Sequence, residues 1–197
     1  LSFLYMQLGV NFRQLQEYDT AIQYFQRAQA INPNDIDPYL SISRTYFQTG
    51  EYGRAAQYLE AALEIDATNV TIHGRLGLVY FKALNYESAI IELGCAVDGC
   101  TTNTDAIDAD DSDPDRKIEG LELSKSTLET YYTYSSVLAA LSTPENPHCV
   151  RARPLFQQIS AFAPDDPIVA GIMQENENIC AIADNAAAGT PVPSATP

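Results

Sequence analysis

The sequence predicts an all-α solenoid, a row of stacked antiparallel helix pairs. Residues 2–35 align with residues 36–69, and these align with residues from 70 onward, at a step of 34 residues. Turn-forming sequences fall at matching places inside and between the aligned units. The chain of 197 residues is 46% hydrophobic, which is enough to fill a core. Because a single helix pair cannot bury both of its faces, the units are expected to stack on one another.

The overall charge of the chain disfavours some classes of binding partner. The formal net charge is −15, so the chain repels phosphate backbones and anionic membrane surfaces. No apolar run approaches the ~20 residues that span a bilayer. Nucleic acid and direct membrane insertion are therefore not expected.

Each of the first three units repeats one set of large and small residues. The first unit has Tyr5, Leu8, Gly9, Phe12, Ala21, Phe25, Ala28 and Pro33. The second unit has Tyr39, Ile42, Ser43, Tyr46, Ala55, Leu59, Ala62 and Ala67 at these places. The third has His73, Leu76, Gly77, Tyr80, Ala89, Leu93 and Ala96. The small residues predict places where two helix backbones approach closely, with large residues filling the gaps around them.

This pattern resembles the signature of the tetratricopeptide repeat (TPR) family: an aromatic residue, Leu-Gly, Tyr, Ala, Phe, Ala and Pro. The first unit matches every place, and the later units match progressively fewer. The resemblance implies a right-handed superhelix of antiparallel helix pairs, with about four repeats and a C-terminal capping helix. The alternative is an unrelated helical bundle with chance spacing.

The C-terminal half departs from the regular period. After Val97 an acidic segment with few apolar residues predicts an exposed insertion, and the stack then resumes. The expected divisions are a solenoid over 1–187, with repeats at about 2–35, 36–69, 70–98 and 126–166, an insertion at 99–120, a cap at 167–187 and a Pro/Ser/Thr-rich tail at 188–197.

The fourth pair and the cap have their own apolar patterns. Core residues expected in the fourth pair are Tyr131, Tyr134, Ser135, Leu138, Ala152, Phe156 and Ile159. The capping helix is expected to turn one face toward the stack, carrying Ile168, Ile172, Ile179 and Ala183.

The four cysteines allow two disulfides. In a TPR stack, the start of a second helix lies beside the end of the next first helix, so Cys149 and Cys180 should be neighbours. The pair Asp98–Gly99 can end a helix and fold the chain back, bringing Cys95 to Cys100.

The expected cellular location is inferred from these cysteine pairings. The pairing pattern resembles that of extracytoplasmic bacterial TPR proteins, which favours a secreted or cell-surface location. The alternative is four reduced thiols in a cytoplasmic protein. A zinc site built from Cys95, Cys100, His148 and Cys149 is conceivable but lacks a Cys-x-x-Cys knuckle, so no metal site is predicted.

Part of the insertion resembles an EF-hand calcium loop. Oxygen-bearing side chains stand at its first, third, fifth, ninth and twelfth places, but Arg116 replaces the glycine of the sharp turn. No entering helix precedes the segment, so a solvated acidic loop is the favoured interpretation. The weak calcium candidates are Asp111, Asp113, Asp115 and Glu122.

Two further features concern modification and catalysis. Asn69-Val70-Thr71 is an N-glycosylation sequon between the second and third units, and the tail could carry O-linked sugar. The chain has two histidines, of which His73 takes an aromatic packing place and His148 lies in a turn. No nucleophile elbow, phosphate-binding loop or metalloprotease helix is found. We therefore predict no enzymatic activity and no cofactor.

Family resemblance implies that ligands bind the concave groove formed by the first helix of each unit. The groove residues expected there are Phe3, Met6, Val10, Arg13, Leu40, Arg44, Phe47, Arg75, Leu78 and Phe81. Apolar side chains interleaved with three arginines suit a peptide that has apolar anchors and some acidic groups. The predicted function is a scaffold for protein interactions. The alternative is an extracellular structural subunit that assembles head to tail into a filament or surface assembly.

Overall fold

A computed structural model, which describes residues 1–101 and 117–187, confirms the predicted all-α solenoid. Within these ranges, no helix is long and apolar enough to cross a membrane. The first helices of successive units begin at residues 2, 36 and 70 and the second helices at 18, 52 and 86, so the 34-residue period holds. The helices are α1 (Ser2–Gln14), α2 (Tyr18–Ile31), α3 (Ile36–Thr49), α4 (Tyr52–Ile65), α5 (Val70–Lys82), α6 (Tyr86–Asp98), α7 (Leu128–Ala140), α8 (Cys149–Phe162) and α9 (Pro167–Ala187).

Local capping explains several helix boundaries. The carboxylate of Asp35 accepts a 3.1 Å hydrogen bond from the Asp37 backbone N–H and so caps the start of α3. The carboxylate of Asp166 accepts from the backbone N–H of Ile168 in the same way at the start of α9. At the end of α3, Gly50 takes a left-handed conformation with φ of 81°, which suits a residue without a side chain.

The small and large residues of the repeat meet at the helix interfaces. Ala21, Ala55 and Ala89 are fully buried, each in the second helix of its unit. At Gly77 an added Cβ atom would lie 2.6 Å from Cγ of Leu93, which is inside the contact distance of two carbons. The close approach of paired helices therefore depends on the absence of a side chain there.

The capping helix α9 packs against α7 and α8, and its most buried face overlaps only in part with the predicted one. Ile168, expected to face the stack, is 71% exposed, whereas Val169 beside it is buried. Asn176 is also buried, because its side-chain amide donates to the hydroxyls of Ser135 and Ser136 on α7. Ile172 and Ile179 flank the buried face, which consists of Val169, Met173, Asn176 and Cys180.

The ends of the predicted insertion are more ordered and less exposed than expected. Strands β1 (Cys100–Thr101) and β2 (Lys117–Ile118) pair antiparallel, with Cys100 opposite Ile118. Ile118 is 3% exposed, which corrects the prediction that residues 99–120 are wholly solvent-facing. Gly99, with φ of 81°, turns the chain after α6 so that the two strands can meet.

Candidate functional site

A pocket of about 220 Å³ opens between the first helices of units two, three and four. We call the surface of the first helices α1, α3, α5 and α7 the helix-A groove, and this opening its central pocket. Most of the pocket wall is apolar, and Arg44, Arg75 and Glu129 supply its charged groups. The lining residues are Leu40, Ser43, Arg44, Phe47, Leu59, Arg75, Leu78, Val79 and Glu129.

Three arginines cross the helix-A groove along a diagonal. Arg13, Arg44 and Arg75 recur every 31 residues, three fewer than the repeat length. Each arginine therefore lies nearly one helical turn earlier in its helix than the preceding one. Within residues 1–101 and 117–187, no carboxylate forms an ion pair with any of the three. Among the described residues, the diagonal is thus a line of positive charge without a carboxylate at ion-pair distance.

The environment of Arg13 and of Arg75 opposes the charge of each. Desolvation, and secondly the positive charge of Arg44, lower the pKa of Arg13. The same two causes lower the pKa of Arg75, and the carboxylate of Asp37 partly offsets them. Nη1 of Arg13 is buried and has no hydrogen-bond partner in the part of the chain that the structure describes. An anionic group placed along this diagonal would stabilise the charged guanidinium groups and accept a hydrogen bond from Nη1 of Arg13.

The structure brings five of the ten predicted groove residues to the central pocket: Leu40, Arg44, Phe47, Arg75 and Leu78. The other five, Phe3, Met6, Val10, Arg13 and Phe81, lie outside it. Met6 and Val10 pack against the core of the first two units, and the guanidinium of Arg13 lies 5.6 Å from the ring centre of Phe25. Phe81 is half-buried beside Tyr86, and Phe3 is 76% exposed.

Glu129 is the pocket residue that the sequence analysis missed. It lies on α7 two residues before Tyr131, just as Phe3 and Asp37 lie two residues before Tyr5 and Tyr39. Extending the groove register to the fourth unit would have identified it. The insertion between units three and four hides this register, because it breaks the 34-residue step.

Both expected cysteine pairs come together. Cys149 at the start of α8 is joined to Cys180 of α9, with their Cα atoms 5.6 Å apart. Cys95 in α6 is joined to Cys100 of β1, with their Cα atoms 4.7 Å apart. These pairings separate the four groups of the conceivable zinc set, because Cys149 is bonded to Cys180 and not grouped with Cys95.

The two histidines lie in different settings. Nδ1 of His73 lies 2.7 Å from a carboxylate oxygen of Glu92, and its Nε2 lies 3.3 Å from the carbonyl of Ala67. The hydrogen bond with Glu92 raises the pKa of His73, and desolvation opposes it. His148 stands at the N-terminus of α8, where its carbonyl accepts the first hydrogen bonds of that helix.

The sequon asparagine has a structural partner. Asn69 immediately precedes α5 and is partly buried, and its side-chain amide donates a 3.0 Å hydrogen bond to the carboxylate of Asp66. A glycan would replace one of the two hydrogens on this nitrogen, which leaves one N–H for the bond to Asp66. Of the calcium candidates, Asp111, Asp113 and Asp115 lie outside the described residues, as does the tail at 188–197, and Glu122 is exposed.

Comparisons with known proteins agree with this fold. Two family models, each described as a tetratricopeptide repeat, match residues 1–68 and 40–98. A crystal structure of the MamA protein aligns with a TM-score of 0.63 at 17% identity, covering 93% of this chain and 86% of that chain. YrrB, described as a TPR protein with an unusual peptide-binding site, aligns with a TM-score of 0.62 at 17% identity, covering 94% of this chain and 84% of its own.

A third solved structure, of pilF from Pseudomonas aeruginosa, aligns with a TM-score of 0.57 at 16% identity and covers 92% of this chain and 76% of that one. No curated protein sequence matches the chain significantly. At these identities the structural similarity shows the fold.

Proposed function

The chain belongs to the tetratricopeptide repeat family, and we propose that it is a non-enzymatic scaffold whose helix-A groove binds a segment of another protein. The observation that carries the proposal is the central pocket, where apolar walls stand beside Arg44 and Arg75, neither of which forms an ion pair with a carboxylate of the described residues. TPR proteins of similar fold include one described as peptide-binding, and the proposal extends that role to this chain.

The central pocket suits one large apolar side chain. Leu40, Phe47 and Leu78 are only half-buried, so they retain apolar surface that a ligand can cover. Burying apolar surface contributes about 25 cal/mol per Å², which makes such an anchor the main source of affinity. The pocket, of about 220 Å³, has room for one such anchor.

The arginines on either side of the pocket suit carboxylates next to that anchor. Arg44 and Arg75 come from adjacent units and face the same pocket, so an extended segment can place an acidic residue before and after its apolar side chain. Glu129 at the α7 end disfavours an acidic residue at that end. The proposed ligand is therefore a peptide segment with a central apolar residue and acidic neighbours.

Selection from a displayed library of random peptides tests this function. The wild-type chain should enrich peptides with an apolar residue among acidic ones. Leu78→Asp places a charge in the pocket wall and should abolish enrichment. Ile91→Asp is the matched control, because Ile91 is a 69% exposed residue of α6 outside the pocket. Equal enrichment by both variants would mean that the groove is not the binding site.

The second candidate function is head-to-tail assembly of copies of this chain. Phe3 and Leu4 are 76% and 55% exposed on α1, and Ile182 of α9 at the other end of the stack is 54% exposed. Apolar side chains at both ends of a solenoid favour contacts that can propagate. Light scattering over a concentration series decides between the candidates, because a monomer at all concentrations argues against assembly.

We propose an extracytoplasmic location for the chain, secreted or at the cell surface. The two cysteine pairs support it, because disulfides persist in oxidising compartments. The alternative location is the cytoplasm, where both pairs would be reduced. The redox state of the cysteines in protein purified from its native source, with free thiols blocked at lysis, separates these locations.

A further inference from the structure

One disulfide of the chain has a histidine beside it. The nitrogen of His73 and the sulfurs of Cys95 and Cys100 all lie within 4.8 Å of one another. Each residue comes from a different element: α5, α6 and β1. Among the described residues, this is the one cluster of histidine, cysteine and acidic side chains whose ligand atoms are grouped closely enough to hold a metal ion. Within the described part of the chain, the other disulfide, Cys149–Cys180, has no such neighbour.

The three side chains have the chemistry of a zinc site once the disulfide is opened. Zinc binds thiolates at about 2.3 Å and imidazole nitrogen at about 2.0 Å, so its tetrahedral ligands stand about 3.5–3.8 Å apart. Cys95 and Cys100 are separated by four residues, within the spacing of two to four that zinc sites use. Their Cα separation of 4.7 Å keeps both sulfurs on one side of the site.

The surroundings of His73 supply the support that a metal-binding imidazole needs. In the present structure Nδ1 lies 2.7 Å from Glu92 and Nε2 lies 3.3 Å from the carbonyl of Ala67. The nitrogen that coordinates the metal would give up its contact, and the other would keep its own. Such outer partners fix the orientation of a metal-binding imidazole. The side chain of His73 is 14% exposed and Cys100 is half-exposed, so the site is shielded but reachable from solvent.

We propose that, when the bond between Cys95 and Cys100 is reduced, the thiolates of these residues and the imidazole of His73 bind a zinc ion. Water completes the coordination. An external dithiol delivers two electrons and two protons to the bond and leaves as its own disulfide, and zinc then displaces both thiol protons. An external disulfide then accepts two electrons from the thiolates and two protons from solvent and leaves as its dithiol, which restores the bond between Cys95 and Cys100 and releases the ion. Zinc binding and the disulfide therefore exclude each other, and this site is independent of the helix-A groove.

Cobalt(II) is the probe for this site, because tetrahedral thiolate coordination gives it a visible absorption spectrum. The full chain, reduced with a phosphine that carries no thiol, should bind one Co²⁺ per chain, and Zn²⁺ should displace it. The oxidised chain should bind none. Cys95→Ser with Cys100→Ser should abolish the spectrum, and Cys149→Ser with Cys180→Ser, the matched control, should retain it.

His73→Tyr tests the imidazole without changing the repeat, because Tyr39 occupies the same place in unit two. It should weaken Zn²⁺ binding at least about tenfold. The helical circular dichroism signal reports folding of every reduced sample. Equal binding by His73→Tyr, cobalt binding by the oxidised chain, or a reduced chain that binds no metal would each overturn the proposal.

Discussion

The hydroxyl of Ser43 donates a 2.8 Å hydrogen bond to the backbone carbonyl of Ala55, across the interface of α3 and α4. Ser43 occupies the place that Gly9 and Gly77 fill in the neighbouring units. The side chain of serine is small enough for that interface, and its buried hydroxyl is satisfied by the facing helix. The repeat therefore requires a small residue at this place, and glycine is one of the residues that meet the requirement.

Gly77→Ala should lower the free energy of unfolding by about 1–3 kcal/mol. The new methyl group would meet Leu93 at 2.6 Å, including the Leu93 backbone nitrogen at 2.9 Å, which cannot move without shifting α6. Gly171→Ala in α9 is the control, since no atom lies within 4 Å of the added Cβ. It should raise stability by about 0.5–1 kcal/mol through helix propensity. Urea denaturation followed by circular dichroism measures both, and similar shifts of the two variants would contradict the packing argument.

Prediction from sequence succeeded where the determinants are periodic. Because residues 34 apart occupy equivalent environments, Leu40, Arg44 and Leu78 could be assigned to a shared surface from register alone, and the structure places them around one pocket. Register alone does not fix the side-chain direction of Arg13, whose guanidinium lies 5.6 Å from the ring centre of Phe25 and outside this pocket.

Non-local contacts account for the errors. Ile118 is buried where β2 pairs with β1. The two strands are far apart in the sequence, so their pairing produces no periodic pattern from which it could be predicted. In α9, Asn176 faces inward because serines of α7 accept its hydrogen bonds. From the local sequence pattern, a polar residue such as Asn176 is expected to face solvent. Assigning it to the exposed side shifts the predicted apolar face away from Val169 and toward Ile168.

Alkaline pH should destabilise the chain through Tyr134. Burial raises the pKa of Tyr134 above its ordinary value of 10.0, so the folded state holds the phenolic proton more tightly than the unfolded state does. The contribution of this group to stability is complete below pH 10 and is lost as pH rises through the folded-state pKa. Tyr131 and Tyr132 shift in the same direction and add to the loss.

Tyr134→Phe should lose less stability than the wild type as pH rises above 10. At neutral pH the variant should be less stable by about 1–2 kcal/mol, because Tyr134 donates a 2.9 Å hydrogen bond to the carboxylate of Asp98. The free energies of unfolding of the variant and the wild type should therefore converge above pH 10. Chemical denaturation at a series of pH values measures both curves, and parallel curves across that range would refute the assignment.

The Cys149–Cys180 bond should hold the capping helix on the stack. Replacing both cysteines with alanine should lower the free energy of unfolding by about 3 kcal/mol, because the bond closes a loop with a sequence separation of 31 residues. Arg153→Met is the comparison, since it removes ion pairs to Glu177 and Asp184 that join the same two helices. These pairs are partly exposed, so that variant should lose no more than about 1 kcal/mol.

Intact mass establishes whether both cysteine pairs are bonded in the native protein. Reduction of two disulfides should add about 4 Da, one hydrogen per sulfur. An unchanged mass, together with reaction of four thiols in the untreated protein, would favour the cytoplasmic alternative. A gain of about half that value would show that one pair is open, and peptide mapping would then identify which pair remains bonded.

Arg44 should determine the preference of the helix-A groove for acidic ligands. It stands between Arg13 and Arg75, and its positive charge lowers the pKa of both. Arg44 therefore interacts electrostatically with each of the other two arginines. Arg44→Glu should weaken binding of a peptide with one leucine flanked by aspartates by at least about tenfold, or about 1.4 kcal/mol. The effect should shrink as salt is raised, because the Debye length, about 8 Å at 0.15 M ionic strength, shortens and screens the charges more strongly.

Arg54→Glu is the matched control for this measurement. Arg54 is exposed on α4 and pairs with Glu51 away from the central pocket, so its reversal changes the net charge equally without changing the pocket. Fluorescence anisotropy with the aspartate peptide and its asparagine counterpart measures both variants. If Arg44→Glu and Arg54→Glu weaken binding alike, the attraction comes from overall charge and not from the diagonal of arginines. A loss confined to Arg44→Glu, and absent for the asparagine peptide, assigns the recognition of carboxylates to the groove.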